Sequence, residues 1–509
     1  MAQRKNLHTP LLILLGVFCT CVSFAQKPDI KQGPVAKGLK VSDQTIFIGE
    51  DETCYYFYGC SYKNTILAFD KSDLSLKVEK DFKAKKAIGF PLCGCVFGDT
   101  IVVITARFDS KGYLIEKSTI TKTDVSLVSN EEIGFSPFED GKKHVVNMDP
   151  VNLSEQITVF TKPSPDQHYR ALVRIDQCEN GAPSTWNVMM LDNRTGTTLW
   201  SRETDFYCMD FVPTNDGRII LAGYYHANSG DEALAALSVI SSDEEERMSF
   251  PLPVNIGSAE LLLNGNRLWV TGSLRGENYG KWIFPFNKNA ALSGMYVTVF
   301  DLYENAIVTS DEYPFTKADV DVFTNVKEDK SKDNLVHWIS FHPYLMNDGR
   351  VCVKGEYDFK ESISTNTGVY YWFGKKGCIL NMFDTDGDLQ WRKPVRNRIV
   401  GPKETIVDDL FDMDGNLCYY SMVCANYTYS QTDVAASQDP KILRTKLREI
   451  ILDQDGNETV NVTDCNGQVG MTAQSYNAAM TKRVCLLIEQ GVFKSDVRLT
   501  VFESLKDVE

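Results

Sequence analysis

Five times along the chain an apolar, strand-like run ends in a large hydrophobe followed by Asp and a short turn: Phe69-Asp70, Leu191-Asp192, Phe300-Asp301, Phe383-Asp384 and Leu452-Asp453. A chain that repeats one short β motif is confined to repeat architectures, because each unit buries its apolar face only against its neighbours. Weaker copies at Thr123-Asp124, Ser242-Asp243 and Phe502-Glu503 fill the gaps. The marks then recur about every 60 residues, somewhat longer than common propeller repeats.

A second mark lies upstream, a Gly turn opening a β-rich run: Asp216-Gly217 before Arg218 to Tyr225, Gly265-Asn266 before Arg267 to Leu274, Asp348-Gly349 before Arg350 to Tyr357, and Asp414-Gly415 before Asn416 to Cys424. Gly supplies the positive φ that joins antiparallel strands tightly. The two marks together give strand a, Gly turn, strand b, variable loop, strand c, Asp turn and strand d, which is one four-stranded antiparallel blade. The expected fold is therefore all-β, a seven- or eight-bladed β-propeller. The segment from Ile157 to Arg202 is its least regular unit. The terminal strand Ser495 to Phe502 has no hairpin after it, so the residues near Pro34 to Leu39 are expected to complete the last blade.

The amino terminus reads as an export signal. Arg4 and Lys5 form a basic region, Leu11 to Phe18 an apolar one, and Ser23-Phe24-Ala25 a cleavage site before Gln26. The division expected is a signal peptide over 1–25 and a single propeller domain over 26–509, placing the protein outside the cell or in the periplasm. Phe18 and Thr20, ahead of Cys19 and Cys21, do not suit a lipid-attachment site. No other stretch approaches a membrane span. A formal charge of −15 without a basic stripe excludes nucleic acid as an expected partner.

The 14 cysteines fall to those after Cys21 once the signal is lost, and they do not form a staple framework. Cys54 and Cys60, like Cys418 and Cys424, sit on single strands at about 20 Å, beyond disulfide reach. Cys93 and Cys95 are at the limit of bridging geometry. Most are expected to be core thiols, and without a CxxC pair there is no basis for a zinc ribbon.

Two hairpins, Leu191-Asp192-Asn193-Arg194-Thr195-Gly196-Thr197-Thr198-Leu199-Trp200 and Phe383-Asp384-Thr385-Asp386-Gly387-Asp388-Leu389-Gln390-Trp391, carry Asp, a turn Gly and Trp in order. They resemble degenerate PQQ-like or WD-like propeller repeats, in which the Trp docks between neighbouring blades. Leu74, Ile307 or Val460 stands at that position in other hairpins. The resemblance implies the fold. Quinone-dependent dehydrogenases and an envelope scaffold for outer-membrane protein assembly share such repeats. This chain has no vicinal Cys pair and no recognisable quinone site, so no cofactor is expected.

In a propeller the a–b and c–d turns share one face, and the b–c and d–a connections share the other. The long insertions, Arg275 to Leu292, Asp358 to Lys376, Ala425 to Thr445 and Tyr313 to Asn334, all belong to the second face. Loops clustered on a rigid scaffold are where binding usually resides. They carry Tyr279, Trp282, Phe284 and Phe286, then Phe359, Tyr370, Tyr371, Trp372 and Phe373, then Tyr427 and Tyr429. Such aromatics either pack the loop onto its scaffold or offer platforms to sugars and peptides. The candidate contact set is Tyr279, Trp282, Phe284, Tyr371, Trp372 and Tyr427, with His226 at the end of a strand b. Arg275, Glu277, Lys281, Glu356, Asp358 and Lys360 are its charged rim.

The runs Asp384-Thr385-Asp386-Gly387-Asp388, Asp412-Met413-Asp414-Gly415-Asn416 and Asp453-Gln454-Asp455-Gly456-Asn457 look like the start of calcium loops. The later Glu is missing and each run falls where a hairpin turn is already required, so turn chemistry and no metal is the expectation. His337 and His342, five apart on an expected strand, fall on opposite faces and make no metal pair. There is no nucleophile elbow, HExxH or Walker sequence, so no catalytic residue is assigned. The leading expectation is a non-catalytic propeller that binds a protein or glycan on its long-loop face. The alternatives are a carbohydrate-active hydrolase or lyase, with convergent carboxylates or Tyr, His and Arg at a central funnel, and an envelope assembly scaffold.

Overall fold

The computed structural model describes residues 29–39, 45–60, 64–82, 89–138, 141–143, 159–179, 182–226, 233–248, 252–253, 256–275, 292–323, 339–365, 368–401, 408–413, 415–424, 445–465, 470–476, 482–490 and 495–503. These residues form eight antiparallel sheets, seven built from consecutive strands and an eighth that joins the two ends of the chain.

The described chain opens with β1 (Asp29–Gln32) and β2 (Ala36–Leu39). Sheet one is β3 (Ile46–Glu50), β4 (Cys54–Cys60), β5 (Asn64–Asp70) and β6 (Leu76–Phe82). Sheet two is β7 (Gly89–Phe97), β8 (Thr100–Asp109), β9 (Gly112–Thr121) and β10 (Leu127–Pro137). Sheet three is β11 (Val159–Pro163), β12 (Tyr169–Glu179), β13 (Ala182–Asp192) and β14 (Thr198–Thr204). Sheet four is β15 (Tyr207–Pro213), β16 (Ile219–His226), β17 (Ala233–Ile240) and β18 (Glu245–Met248). Sheet five is β19 (Glu260–Asn264), β20 (Arg267–Arg275), β21 (Leu292–Asp301) and β22 (Ala306–Pro314), followed by the helix α1 (Lys317–Phe323). Sheet six is β23 (Ser340–Leu345), β24 (Val351–Thr365), β25 (Gly368–Phe383) and β26 (Leu389–Gly401). Sheet seven is β27 (Asp408–Met413), β28 (Asn416–Cys424), β29 (Thr445–Leu452) and β30 (Glu458–Cys465). Sheet eight is β31 (Gly470–Tyr476), β32 (Lys482–Gln490) and β33 (Ser495–Glu503) with the two amino-terminal strands.

At six of the eight seams the first strand of one sheet lies against the first strand of the next: β3 beside β7, β7 beside β11, β11 beside β15, β15 beside β19, β19 beside β23, and β31 beside β3. The sheets are thus arranged about an axis with strand a innermost, which is a β-propeller. The segment expected to be least regular, sheet three, is an ordinary blade with 11-residue central strands. Each strong Asp mark closes a strand c, as expected.

Strands b and c are buried on both faces because blades stack face to face. The core therefore lies in the seams. Tyr55, Phe57, Leu67 and Phe69 of sheet one meet Val484, Leu486, Val497 and Leu499 of sheet eight. Trp269, Val297 and Val299 of sheet five meet Phe341, Val351, Val353 and Ile379 of sheet six. Each such side chain contributes roughly 1.5–3 kcal/mol of burial free energy.

Turn chemistry holds the opposite side. Asp384 Oδ1 accepts the amides of Asp386 at 3.0 Å and Asp388 at 2.9 Å. Asp453 Oδ1 accepts those of Asp455 at 3.0 Å and Asn457 at 2.8 Å. Asp412 Oδ1 accepts Gly415 N at 3.2 Å, and its other oxygen takes the amide of Asn347 in the preceding sheet. These calcium-like carboxylates are engaged by backbone amides, the bonding the turn reading requires.

Trp200 and Trp391, which end the two Asp–Gly–Trp hairpins, dock on the following blade. Trp200 Nε1 donates to Gly217 O at 3.2 Å, and Trp391 Nε1 to Gln454 O at 3.1 Å. Gly456 has φ +78, and a Cβ there would lie 2.9 Å from the Trp391 ring, so this turn needs Gly for both its backbone and the docking ring. In sheet five Thr309, not Ile307, approaches the equivalent glycine, Gly387. Ile307 is 42% exposed.

The d–a connection after sheet five was expected to be an irregular loop, yet it contains α1. Thr316 and Asp319 form a reciprocal cap, with Asp319 Oδ2 accepting Thr316 N at 2.7 Å. Asp319 is buried and pairs with Arg392 of β26 at 2.8 Å. Val322 packs so closely on Gly377 that a Cβ there would lie 2.4 Å from it, and Gly377 has φ +149.

Both β1 and β2 pair antiparallel with β33, at Asp29↔Glu503 to Gln32↔Thr500 and at Ala36↔Val497 and Leu39↔Ser495. Gly33 N, between them, donates to Leu499 O at 2.9 Å. The closing strand thus begins before the expected Pro34. Among the described cysteines, Cys54, Cys93, Cys352, Cys378 and Cys418 are buried.

Candidate functional site

The segment from Asp358 to Lys376, expected to be a loop, is a β-hairpin. Strands β24 and β25 run 15 and 16 residues and stay paired out to Thr365↔Gly368. The inner strand β23 ends its pairing at Ser340↔Glu356, so β24 and β25 continue beyond it on the long-loop side. Strand β26 accompanies them to Phe373↔Gly401. A bulge between Glu356 and Asp358 marks where the hairpin leaves the blade. Tyr371 lies opposite Ser362 and Trp372 opposite Glu361 in this ladder. These two candidate residues therefore stand on strands. His226 ends β16, opposite Ala233. Tyr279, Trp282, Phe284 and Tyr427 lie outside the described residues, as do Glu277, Lys281 and His337.

Two of the expected rim charges are not on a rim. Arg275 is the last residue of β20 and is 5% exposed, and Glu356, also 5% exposed, pairs with the buried Lys354. Lys354 in turn lies over the Tyr419 ring, 5.1 Å from its centroid. Such an ion pair survives burial only because each charge is the other's partner.

Around the axis, the inner strands of four successive sheets are joined by charged groups that the sequence did not single out. Lys162 of β11 meets Asp210 of β15 at 2.6 Å. Asp210 Oδ2 accepts the amide of Leu261 in β19 at 2.8 Å. The neighbouring Glu260 meets His342 Nδ1 of β23 at 2.8 Å. Burial pulls the His342 imidazole down, but the hydrogen bond and charge of Glu260, with Glu356 behind it, outweigh this and hold it above its ordinary value. A charge on the first strand of a blade was the available signal. The five-residue spacing from His337 carries no information about Glu260, which comes from the neighbouring blade.

The tyrosines near this arc are not bases. Tyr224 and Tyr296 donate to Ile256 O at 3.0 Å and Ser258 O at 3.1 Å. Burial raises both phenols above their ordinary value, with the Glu260 charge adding to the effect on Tyr296. The crevice lined by Cys93, Cys95, Val102, Arg170, Leu191 and Asp192 has a volume of about 10 Å³, the size of a water molecule, and burial pushes the Cys95 thiol up to about 12. Among the described residues no helix is long and apolar enough to cross a membrane.

No protein-family model matches the chain. No curated protein matches it either. Among solved structures it is similar to the Dos1 propeller, at 10% identity and a TM-score of 0.44 over 94% of this chain and 96% of that one. A polysaccharide lyase, an ulvanlyase, aligns at 10% identity and a TM-score of 0.42 over 92% of this chain and 93% of that one. The β-propeller domain of the Trilobed protease from Pyrococcus furiosus aligns at 11% identity and a TM-score of 0.35 over 86% and 96%.

Proposed function

We propose that this protein is an exported, non-catalytic β-propeller that captures a protein or glycan on its long-loop face. The observation that carries the reading is the difference between the two faces. On one, short turns spend their Asp oxygens on their own amides. On the other, sheet six extends a hairpin past its inner strand, bearing Tyr371 and Trp372. Extended elements on a rigid ring are suited to holding a partner. Two inner-strand acids are committed to partners, Asp210 to Lys162 and Glu260 to His342, so neither is offered as half of a hydrolytic carboxylate pair. An envelope-assembly role is the form this reading takes if the captured partner is a membrane protein.

The test is capture from envelope extract and on a glycan array by the immobilised protein. Trp282→Ala and Trp372→Ala, and a variant with residues 359–373 replaced by a two-residue turn, are expected to lose capture while melting within about 2 °C of the parent, since surface changes rarely cost much. Undiminished capture by all three overturns the reading. So does a loss of several kcal/mol of stability in both Trp variants, the cost of a buried aromatic.

A further inference from the structure

We propose that the contact between His342 and Glu260 is a pH-sensitive clasp joining sheets five and six, closed while the imidazole carries its proton and loosened when that proton passes to solvent. The two residues lie on adjacent innermost strands, β23 and β19, with Nδ1 and Oε2 at 2.8 Å. Both side chains are half-buried, at 36% and 27% exposure, so the proton can exchange while the charges remain poorly screened.

The surroundings isolate this pair. From β24, His342 is faced by Lys354, its cross-strand partner, and by Glu356, which are paired with each other and act on His342 in opposite directions. From β19 it is faced by Glu260. Strand β20 also packs on β23, and there Thr271 donates its hydroxyl to Phe341 O at 3.2 Å. The seam between sheets three and four carries a charged pair as well, Lys162 with Asp210, but it includes no histidine. His342 is thus the member of the inner arc that titrates in the physiological range.

The place of the clasp gives it a consequence. It closes the seam at the start of β19, on the side where β24 leaves the blade as the hairpin, and Glu356 is the last residue of β24 to pair with β23. A raised folded-state pKa means that the contribution is fully present below the unfolded value near 6.5 and is lost as pH rises through the higher folded one. The seam is therefore tighter in acid and looser in mild alkali.

Hydrogen exchange of the β19 and β23 amides in the whole protein, corrected for intrinsic pH dependence, tests this without reference to any ligand. Opening of this seam is expected to rise several-fold between pH 6 and pH 8.5, while the seam between sheets three and four stays constant. In His342→Gln and in Glu260→Gln the rise should vanish. An equal rise in the parent and both variants overturns the proposal. Should the variants fail to fold, an NMR titration of His342 in the parent decides: a midpoint above 6.5 supports the clasp, and one at or below it overturns the clasp.

Discussion

At Asp51 one carboxylate closes the whole a–b turn of sheet one. Its Oδ1 accepts the amides of Thr53 at 2.7 Å and Cys54 at 2.8 Å, while Oδ2 accepts the Tyr56 hydroxyl and meets Lys122 of sheet two, each at 2.8 Å. Burial raises its pKa, but Lys122 and the donors of the turn win and hold it far below the usual carboxylate range. A depressed folded-state pKa stabilises above the unfolded value of 3.8 and is lost as pH falls below it. Asp51→Asn should therefore cost about 1 kcal/mol at pH 7, allowing for solvent screening, and much less near pH 3. Urea midpoints across that range check it, and a cost independent of pH contradicts it. The Asp of each hairpin could be read from sequence because turn geometry fixes residue type locally. Glu260 and His342 could not, because their meeting depends on which blades become neighbours.

At the scale of single elements, the strands that stop at the blade edge were readable and the one that does not was misread. In Asp358-Phe359-Lys360-Glu361-Ser362-Ile363-Ser364-Thr365 charged residues fall on both alternating sets, so the apolar alternation that marks a blade strand is absent. An ordinary strand is about 5–6 residues, which argued against continuing β24 to 15. Helix α1 had a sequence signal as well, Thr316 three residues before Asp319, which is a capping pattern. Its stability rests on the buried Asp319–Arg392 pair, with Arg392 Nη1 also donating to Pro314 O at 3.1 Å. Burial pulls the Arg392 pKa down and Asp319 opposes that, so removing the acid leaves a desolvated cation. Asp319→Ala should cost about 3–5 kcal/mol by guanidinium unfolding. A cost under about 1 kcal/mol means the helix is held by Val320 and Val322 alone.

For the molecule as a whole, the fold class followed from the repeat, since eight copies of one amphipathic unit have few ways to bury their faces. The eight marks point to seven or eight blades, and the structure has eight sheets; the last mark is weak because Phe502-Glu503 ends a strand c whose partner comes from the other end of the chain. Deleting residues 29–39 should leave the β33 edge unpaired and remove Leu39 from the seam with sheet one. The expected result is a melting point lower by several degrees, with association visible by size-exclusion chromatography. An unchanged melt in a monomer would show that the ring holds without its clasp strands.

That pairing also orders events in time. Asp29 and Glu503 sit side by side in the finished ring, so the strands made first must wait for nearly all of the remaining chain before they find their place. Until Ser495 to Glu503 appear, Ala36 to Leu39 have no ladder to join, and the growing polypeptide is an open arc with unsatisfied edges at both ends. Contacts this distant in sequence make closure a slow, late step. An interrupted chain would carry two exposed strand edges, the feature by which folding factors and proteases distinguish an unfinished product from a finished one.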